Sequence, residues 1–230
     1  MNILIAGASG GIGQTLTDHF DVKGNTLYLT YHSQPHRIHV PKHAASFQYQ
    51  CDFSRGDIAG VVFDQIRSLD VIINCMGHVE NRLVVKMDED QWDRVIATNL
   101  KSVFLSCKYG APLVVDGGHI INISSVLGSM GMPGASNYCA AKGAVEAFTR
   151  SFALECLIKR RVFVNAIALG YFKTGLGLSL SRTVAEKTLE RIPLDEFGDP
   201  QEIARAVDYI ISSRYMAGNV LRLNGGLWNS

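Results

Sequence analysis

An unbroken alternation of short apolar runs and longer amphipathic runs constrains the fold of this 230-residue chain more than any other feature. The short runs are rich in β-branched residues and almost continuously apolar, which is typical of strands in a parallel sheet that helices cover on both faces. No linker or repeat interrupts the alternation, so we predict one doubly wound α/β domain over residues 1–230. Strands are predicted at 3–6, 26–31, 47–51, 71–74, 119–123, 162–167 and 220–223, and helices at 11–20, 54–67, 88–107, 137–157, 183–191 and 200–212.

One crossover departs from this pattern. Residues 33–46, between the second and third predicted strands, contain Pro35 and Pro41 and show little helical periodicity. Proline removes a backbone donor and interrupts a helix interior. We therefore expect this connection to be short or irregular.

Composition and charge argue against several classes of function. The chain is 47% apolar and 19% charged with a net charge of +1, so we expect a deep core and no nucleic-acid or anionic-membrane partner. Five scattered cysteines without CxxC spacing predict neither a metal site nor a disulfide framework. No apolar run approaches the roughly 18 residues of a membrane helix, and the first residues enter a strand without an export signal, so we expect a cytoplasmic protein.

A glycine-rich turn lies at the first strand–helix junction. Glycines let the backbone approach a pyrophosphate, and the helix N-terminus offers N–H groups and the positive end of its dipole. The pattern is GxxxGxG rather than GxGxxG, and a simple tight turn is the alternative interpretation. A dinucleotide site here makes the predicted domain Rossmann-type, with a central parallel sheet of about seven strands. The residues assigned to the site are Gly7, Ser9, Gly10, Gly11, Ile12 and Gly13.

Further cofactor contacts are predicted where the next strands end, because ligands of doubly wound folds lie at the carboxyl ends of the strands. The second strand ends without the Asp or Glu that binds ribose hydroxyls in NAD-preferring sites, and Arg37 lies a few residues further on. Asp52 could accept from an adenine amino group or cap the helix that follows. The residues assigned to this part of the site are Tyr31, His32, Ser33, Asp52, Phe53, Asn74, Met76 and Gly77.

Tyr138 and Lys142 stand four residues apart in an alanine-rich run without proline. In a helix, this spacing places the phenol and the ammonium on one face, one turn apart. A neighbouring cation lowers the pKa of a tyrosine from its usual value near ~10, which would make Tyr138 a general acid/base for a carbonyl–alcohol interconversion. Alone, this spacing also fits an ordinary helix.

Two further positions carry polar groups suited to catalysis. Asn99 lies in the middle of a predicted helix, where its side chain competes for backbone hydrogen bonds. Ser124 and Ser125 end the fifth predicted strand, and by position either could be catalytic or cap a helix.

In their order and spacing, these motifs resemble the short-chain dehydrogenase/reductase superfamily over essentially the whole chain. The resemblance implies that Ser125, thirteen residues before Tyr138, binds the substrate carbonyl while Tyr138 gives the proton. It implies that Lys142 lowers the tyrosine pKa and binds the nicotinamide ribose, and that Asn99 holds a water that relays protons. Several segments resemble the 3-oxoacyl-(acyl carrier protein) reductase branch, namely 88–99, 128–142, 164–166 and 224–226.

The resemblance also extends to the segment after the sixth strand. It implies that Gly170 and Thr174 contact the cofactor and that residues 172–191 form a mobile substrate lid. Leu169 stands where the family usually has proline. Arg160 matches one of two basic positions that dock the acyl carrier protein in this branch, but Asp116 falls near the other.

The sequence therefore predicts an NADP-dependent oxidoreductase that reduces a ketone to a secondary alcohol, with NADP(H) preferred over NAD(H). A 3-oxoacyl thioester is the leading substrate, and an acyl-CoA, a sugar or another small ketone is the alternative. A dinucleotide-sensing regulator is a further alternative, although such proteins on this fold typically lack the Tyr or the Lys. The resemblance implies a homotetramer or homodimer built through the helices predicted at 88–107 and 137–157.

Overall fold

The computed structural model describes residues 1–175, 177 and 180–227, apart from the side chains of His36 and Ile58. Within these residues, seven parallel strands form one sheet: β1 Asn2–Ala6, β2 Thr26–Tyr31, β3 Ala45–Gln50, β4 Leu69–Asn74, β5 Val114–Ser125, β6 Phe163–Leu169 and β7 Val220–Leu223. Their order across the sheet is β3-β2-β1-β4-β5-β6-β7. The chain runs outward from β1 to β3 and returns to the other side of β1 with β4, so a crevice opens between β1 and β4. The predicted doubly wound sheet is confirmed.

Helices cover both faces of this sheet. Successive residues of β1 point to opposite faces, so Ile3 and Ile5 join the apolar cluster under one layer of helices while Leu4 joins the other. All three side chains are fully buried, which explains why the strand is apolar throughout. The helices are α1 Gly11–His19, α2 Gly56–Phe63, α3 Glu89–Ile96, α4 Ser102–Gly110, α5 Leu127–Met130, α6 Ser136–Lys159, α7 Arg182–Leu189 and α8 Pro200–Ser212. Among the described residues, none of these helices combines the length and the apolar character needed to cross a membrane.

The crossover between β2 and β3 is irregular, as predicted, with one short 3-10 turn at Pro35–Arg37. Three polar side chains at positions i, i+4 and i+7 along α1 and just beyond it hold this segment against the helix. They pair Gln14 Nε2 with Arg37 O at 2.7 Å, Asp18 Oδ2 with His39 Nδ1 at 2.8 Å, and the Asp21 carboxylate with the N–H groups of Lys42, His43 and Ala44 at 2.7–2.8 Å. The polar side of α1 thus takes the place of a packed crossover helix.

Two elements differ from the sequence prediction near the carboxyl edge of the sheet. The helix predicted at 88–107 is divided into α3 and α4 by a π-turn at Ala97–Lys101. Strand β5 is longer than the predicted 119–123 and includes both Ser124 and Ser125. The short helix α5, which follows it, was not predicted.

Candidate active site

Helix α6 carries Tyr138 and Lys142 into the interior beside the carboxyl end of β5. The two residues are only 8% and 2% exposed. Lys142 Nζ lies 5.7 Å from the centre of the Tyr138 ring and donates to the carbonyl of Ile123 at 2.9 Å. Because Ile123 belongs to β5, this bond holds the ammonium against the sheet. Within the described chain it uses one of the three N–H donors, which leaves two for other partners.

Burial dominates the titration of both groups. It raises the pKa of Tyr138 to about 12, against which a hydrogen bond with Ser125 acts in part. It lowers the pKa of Lys142 to about 8, while the Cys75 thiol nearby acts in the opposite direction. The expected net lowering of the tyrosine pKa is therefore wrong for this structure, because desolvation of the buried phenol outweighs the effect of the neighbouring cation. At neutral pH, Tyr138 holds its proton and can donate it.

The two serines that end β5 have different partners. Ser124 Oγ bonds the carbonyl of Lys142 at 3.1 Å and Glu146 Oε1 at 3.0 Å, so it anchors α6 to the sheet. Ser125 Oγ accepts from the N–H of Leu127 at 3.2 Å, and its hydroxyl is the one that acts to lower the pKa of Tyr138. Of the two serines, Ser125 is the one beside the tyrosine.

Asn99 lies at the centre of the π-turn and is fully buried. Its Nδ2 donates to the carbonyl of Val95 at 2.8 Å, which in a regular α-helix would accept the backbone N–H of residue 99. The same amide bonds both backbone groups of His78, at 2.7 and 3.2 Å. A mid-helix asparagine is tolerated here because the helix is widened around it, and π-turns of this kind are frequent at functional sites. Since both N–H groups of the amide are used, a water in this position would have to donate to oxygen atoms.

The end of β4 brings three predicted residues together. Gly77 lies beside two of the predicted catalytic residues, since a Cβ atom there would be 3.4 Å from Asn99 Oδ1 and 4.0 Å from Lys142 Nζ. Met76 packs against the core. Asn74 is fully buried, and its Nδ2 donates to Asn122 Oδ1 at 2.8 Å, so it ties β4 to β5.

In the glycine-rich turn, neighbouring backbone lies so close to two of the glycines that a side chain would not fit. Gly7 has φ +87°, and a Cβ atom there would lie 3.1 Å from the backbone nitrogen of Met76. At Gly13 a Cβ atom would lie 2.4 Å from the carbonyl of Gly7. Gly10 is the N-cap of α1 and supplies no side chain to the helix end, so the first N–H groups of α1 have no side-chain cap. Of the other assigned residues, Ile12 packs against the core, and the carbonyl of Ser9 accepts from Gln14 Nε2 at 3.2 Å.

The end of β2 faces the residues after β3. Tyr31 ends β2 and packs partly against the core, and Ser33 and His32 are exposed. His32 Nε2 lies 3.9 Å from Asp52 Oδ2. This pair stands where a ribose carboxylate would be expected in an NAD-preferring site.

Asp52 and Phe53 have roles within the fold. Asp52 Oδ1 accepts from the N–H and the hydroxyl of Ser54 at 2.9 and 2.7 Å. It closes the turn before α2 and does not cap the helix, whose N-cap is Arg55, so the capping alternative is wrong. The Phe53 ring packs on Phe63 with 6.0 Å between ring centres, which places its side chain in the core.

The segment after β6 lies over the glycine-rich turn. A Cβ atom at Gly11 would be 2.3 Å from Thr174 Oγ1 and 2.4 Å from the nitrogen of Gly175. Gly170 packs against Asn224, whose Cα would be 2.8 Å from a Cβ atom, and its N–H donates to Leu223. The lid predicted at 172–191 includes residues 176, 178 and 179, which lie outside the described residues; its second half is α7.

Sequence reasoning missed a contact that positions α6, the helix of Tyr138 and Lys142. Gly128 of α5 and Gly143 of α6 meet so closely that a Cβ atom at Gly128 would lie 2.7 Å from the nitrogen of Gly143. The signal was available, since a glycine inside a helix costs roughly 1 kcal/mol and calls for a packing reason. It also missed Glu146, which is buried one turn after Lys142 and bonds Ser124.

These residues fit a nicotinamide dinucleotide. The uncapped start of α1 offers N–H groups to a pyrophosphate, with no side chain on the adjoining glycines to block its approach. At the other end of the crevice, the buried ammonium of Lys142 retains two donors beside Gly77. The Gly-rich turn, Lys142 and Thr174 would hold such a cofactor.

The comparisons with known proteins agree with this geometry. A family model described as enoyl-(acyl carrier protein) reductase matches residues 7–228. The 3-oxoacyl-(acyl carrier protein) reductase of Staphylococcus epidermidis is 33% identical over 239 residues, covering 98% of this chain and 98% of the relative. The chain belongs to the short-chain dehydrogenase/reductase family. As a member, it is an NAD(P)-dependent oxidoreductase.

Other short-chain dehydrogenase/reductases cover the chain to a similar extent. The 3-oxoacyl-(acyl carrier protein) reductase of Thermotoga maritima is 35% identical, covering 97% of this chain and 96% of the relative. A solved 3-oxoacyl-(acyl carrier protein) reductase from Brucella melitensis has a TM-score of 0.89 at 25% identity, over all of this chain and 91% of that one. A short-chain dehydrogenase/reductase variant from Serratia marcescens has a TM-score of 0.91 at 23% identity, over 98% and 97% of the two chains, and supports the fold.

Proposed function

We propose that this chain reduces a ketone to a secondary alcohol with NADPH, with Tyr138 as the general acid and a 3-oxoacyl thioester as the substrate. One observation carries the proposal: Tyr138, Lys142, Ser125 and Asn99 converge at the carboxyl end of β5, beside a crevice with a phosphate-binding turn. The relatives named 3-oxoacyl-(acyl carrier protein) reductase over nearly their full length support the substrate class.

Tyr138 acts as the proton donor. When bound, NADPH supplies a hydride to the carbonyl carbon, and negative charge then develops on the carbonyl oxygen. The buried phenol, with its pKa raised to about 12, holds a proton at neutral pH and transfers it to that oxygen. The hydroxyl of Ser125, which lies beside the phenol, orients the same oxygen.

Lys142 and Asn99 support this transfer. The ammonium of Lys142, fixed by Ile123 O, provides positive charge that stabilises the tyrosinate left after transfer, and its remaining donors bind ribose hydroxyls. Asn99 holds the β4 end in place through both backbone groups of His78. Oxygen atoms of the π-turn then hold the water through which the lysine regains a proton.

The cofactor preference follows from the end of β2. Here an exposed histidine, His32, and the guanidinium of Arg37 take the place of a ribose-binding carboxylate. Asp52 is the nearby acid, but its Oδ1 is engaged by Ser54 and its Oδ2 faces His32. A 2′-phosphate at this position would meet two potential cations, which supports NADPH over NADH.

A smaller ketone or an acyl-CoA is the second candidate substrate, and one region favours it. Arg160, which matches a carrier-docking position, donates to the carbonyl of Ala111 at 2.7 Å. Asp116, near the other docking position, accepts from the N–H of Arg161 at 3.0 Å. A carboxylate beside these arginines lowers the positive charge available to an acidic carrier protein.

The proposed assembly is a homotetramer or homodimer through α3, α4 and α6, in the cytoplasm. These helices and the residues next to them leave large apolar side chains on the surface, which supports burial by a second copy. The side chains are Trp92, Phe104, Leu154, Leu157 and Ile158, with exposed fractions of 40%, 44%, 66%, 38% and 84%. Light scattering on a sizing column tests the assembly, and a monomer at micromolar concentration contradicts it.

The experiment that tests the function follows NADPH absorbance with a panel of substrates: acetoacetyl-carrier protein, acetoacetyl-CoA and ethyl acetoacetate. Turnover of any of them establishes a reductase, and the ranking of kcat/KM identifies the carrier. Binding of NADPH without turnover of any ketone in the panel contradicts the proposed function.

A further inference from the structure

The side chain of Gln14 joins two parts of the proposed cofactor site that are distant in sequence. Its Nε2 donates to the carbonyl of Ser9 at 3.2 Å and to the carbonyl of Arg37 at 2.7 Å. Because both partners are carbonyls, only the amide nitrogen can make these bonds, so the orientation of the amide is determined by its partners. Ser9 belongs to the glycine-rich turn and Arg37 to the irregular crossover after β2.

This bridge limits where Arg37 can lie. One nitrogen reaches the two carbonyl oxygens at 3.2 and 2.7 Å, so these oxygens are within about 6 Å of each other. The backbone of Arg37 therefore lies next to the phosphate-binding turn, although the crossover itself contains little regular structure. The side chain of Arg37 is therefore attached to the backbone beside this turn.

The charge of Arg37 is available for a ligand. The ion pairs found among the described residues do not include Arg37, whose Nη1 donates to the neutral Gln34 side chain at 2.9 Å. Guanidinium groups bind phosphates through paired, charge-assisted hydrogen bonds. An unpaired arginine held beside a dinucleotide turn is suited to a ribose 2′-phosphate.

We propose that Gln14 is a positioning residue for cofactor selection: it holds the crossover against the glycine-rich turn so that Arg37 meets the 2′-phosphate of NADP(H). The inference rests on the proposed NADPH preference and adds the residue that makes it possible. Gln14 itself touches neither the phosphate nor the reacting atoms.

The chain offers a matched control, since Asp18 also ties α1 to the crossover. It bonds His39 one helical turn beyond Gln14 and further from the glycine-rich turn. Asp18→Ala loosens the same segment but leaves intact the Gln14 bridge between the carbonyls of Ser9 and Arg37. A general softening of the crossover would affect both variants equally, whereas positioning of Arg37 affects the Gln14 variant alone.

The test measures binding of 2′,5′-ADP and of 5′-ADP by calorimetry, alongside Kd for NADPH and NADH. The variants are Gln14→Leu, Gln14→Ala, Asp18→Ala, Arg37→Ala and the double variant Gln14→Leu/Arg37→Ala, each checked for a cooperative melt. Loss of one charge-assisted contact should weaken 2′,5′-ADP binding by roughly tenfold in Arg37→Ala. Gln14→Leu should weaken 2′,5′-ADP binding by about fivefold or more. Its affinities for 5′-ADP and NADH should change by less than about twofold.

The outcomes separate the inference from the proposed preference. Asp18→Ala should keep the selectivity of the wild type, and Gln14→Leu should add nothing in the Arg37→Ala background. Equal losses in the Gln14 and Asp18 variants, unchanged selectivity in both Gln14 variants, or a further loss in the double variant would each overturn the role of Gln14. A wild type that binds 5′-ADP as well as 2′,5′-ADP would overturn the NADPH preference itself, and the role of Gln14 with it.

Discussion

The ammonium of Lys142 lies one helical turn from Tyr138, with Nζ 5.7 Å from the centre of the phenol ring, and both groups are buried. Burial moves their pKa values apart, raising that of the tyrosine to about 12 and lowering that of the lysine to about 8. The directions are opposite because desolvation disfavours the charged form of each group, which is the phenolate in one case and the ammonium in the other. Both groups therefore hold their protons at neutral pH.

Replacement of Tyr138 by Phe should abolish reduction while preserving cofactor affinity. Only the phenolic proton is removed, and general acid catalysis typically contributes about 10²- to 10⁴-fold in kcat. The measurements are kcat with a 3-oxoacyl thioester and the Kd of NADPH. Tyr171→Phe is the matched control, since that phenol lies near Tyr138 and burial raises its pKa too. A Tyr138→Phe enzyme with more than a tenth of wild-type kcat contradicts the assigned role.

Reduction should slow as pH rises through about 8. The pKa of Lys142 is lowered to about 8, so above this pH the lysine becomes neutral and no longer stabilises the tyrosinate. Lys142→Ala should lose activity and cofactor affinity together, and the acidic limb of its pH profile for alcohol oxidation should move upward. The measurement is kcat against pH in both directions. An active Lys142→Ala enzyme with the wild-type profile would rule out the coupling.

Replacement of Asn99 by Ala should reduce both stability and kcat. It leaves the carbonyls of Val95 and His78 and the N–H of His78 without the amide, at a cost of roughly 1–3 kcal/mol per unsatisfied group. Denaturant unfolding measures the first effect and kcat the second. Ser106→Ala on α4 is the control, because its buried hydroxyl has no partner in the described chain and should cost little. Equal destabilisation by the two substitutions would argue against the network around Asn99.

Stability should decrease in mild acid through His119, a buried residue of β5 outside the candidate active site. Neither ring nitrogen has a hydrogen-bond partner among the described residues, and the ring stacks on Phe163. Burial lowers its pKa to about 4, with Arg214 acting in the same direction. Below pH ~6.5 this histidine is protonated in the unfolded chain but stays neutral in the folded chain. The free energy of unfolding should therefore decrease by on the order of 3 kcal/mol as pH falls from about 6.5 to about 4.

The check compares unfolding free energies of the wild type and His119→Leu at pH 7.5, 5.5 and 4.0. Carboxylates titrate in the same range in both proteins, so the difference between their pH dependences isolates the histidine. The leucine variant should lose less stability on acidification. Parallel curves would show that the histidine is not held neutral.

The ratio of kcat/KM for NADPH to that for NADH should exceed one at pH 8 and at pH 6. If Arg37 carries the preference the ratio should fall in Arg37→Ala, and if His32 carries it the ratio should fall in His32→Ala. Steady-state kinetics with a single ketone at both pH values measures it. A preference for NADH at either pH is incompatible with this interpretation of the β2 end.

Most of the fold could be predicted because strands buried on both faces of a sheet are apolar throughout, and this pattern is visible in the sequence. The predicted bounds of β2, β7 and α8 match the structure, since each is flanked by polar or turn residues. The extension of β5 to Ser125 could not be predicted: serines have no apolar signal, and their pairing with β6 depends on the neighbouring strand. The π-turn was equally hidden, because it follows from hydrogen bonds between Asn99 and a distant loop residue, His78.

The candidate site, like the fold, could be predicted only in part from the sequence. Spacing alone brought Tyr138 and Lys142 together, since one helix holds both. The separate tasks of Ser124 and Ser125 required the packing of α6 on β5, and the pKa of Tyr138 required knowledge of its burial. Gln14 gave no signal at all, because a glutamine on the polar side of a helix is ordinary until its partner in the crossover is known.

The π-turn between α3 and α4 makes the length of this stretch matter as much as its residues. Each residue of an α-helix advances the chain by about 100° around the axis, so an added or deleted residue in Ala97–Lys101 would rotate α4 by that angle relative to α3. Val103 and Cys107, both fully buried, would turn away from the core. Deletion of a single residue here should therefore weaken the packing of α4 and also lower activity. Many substitutions on the outer face of the same helices should do neither.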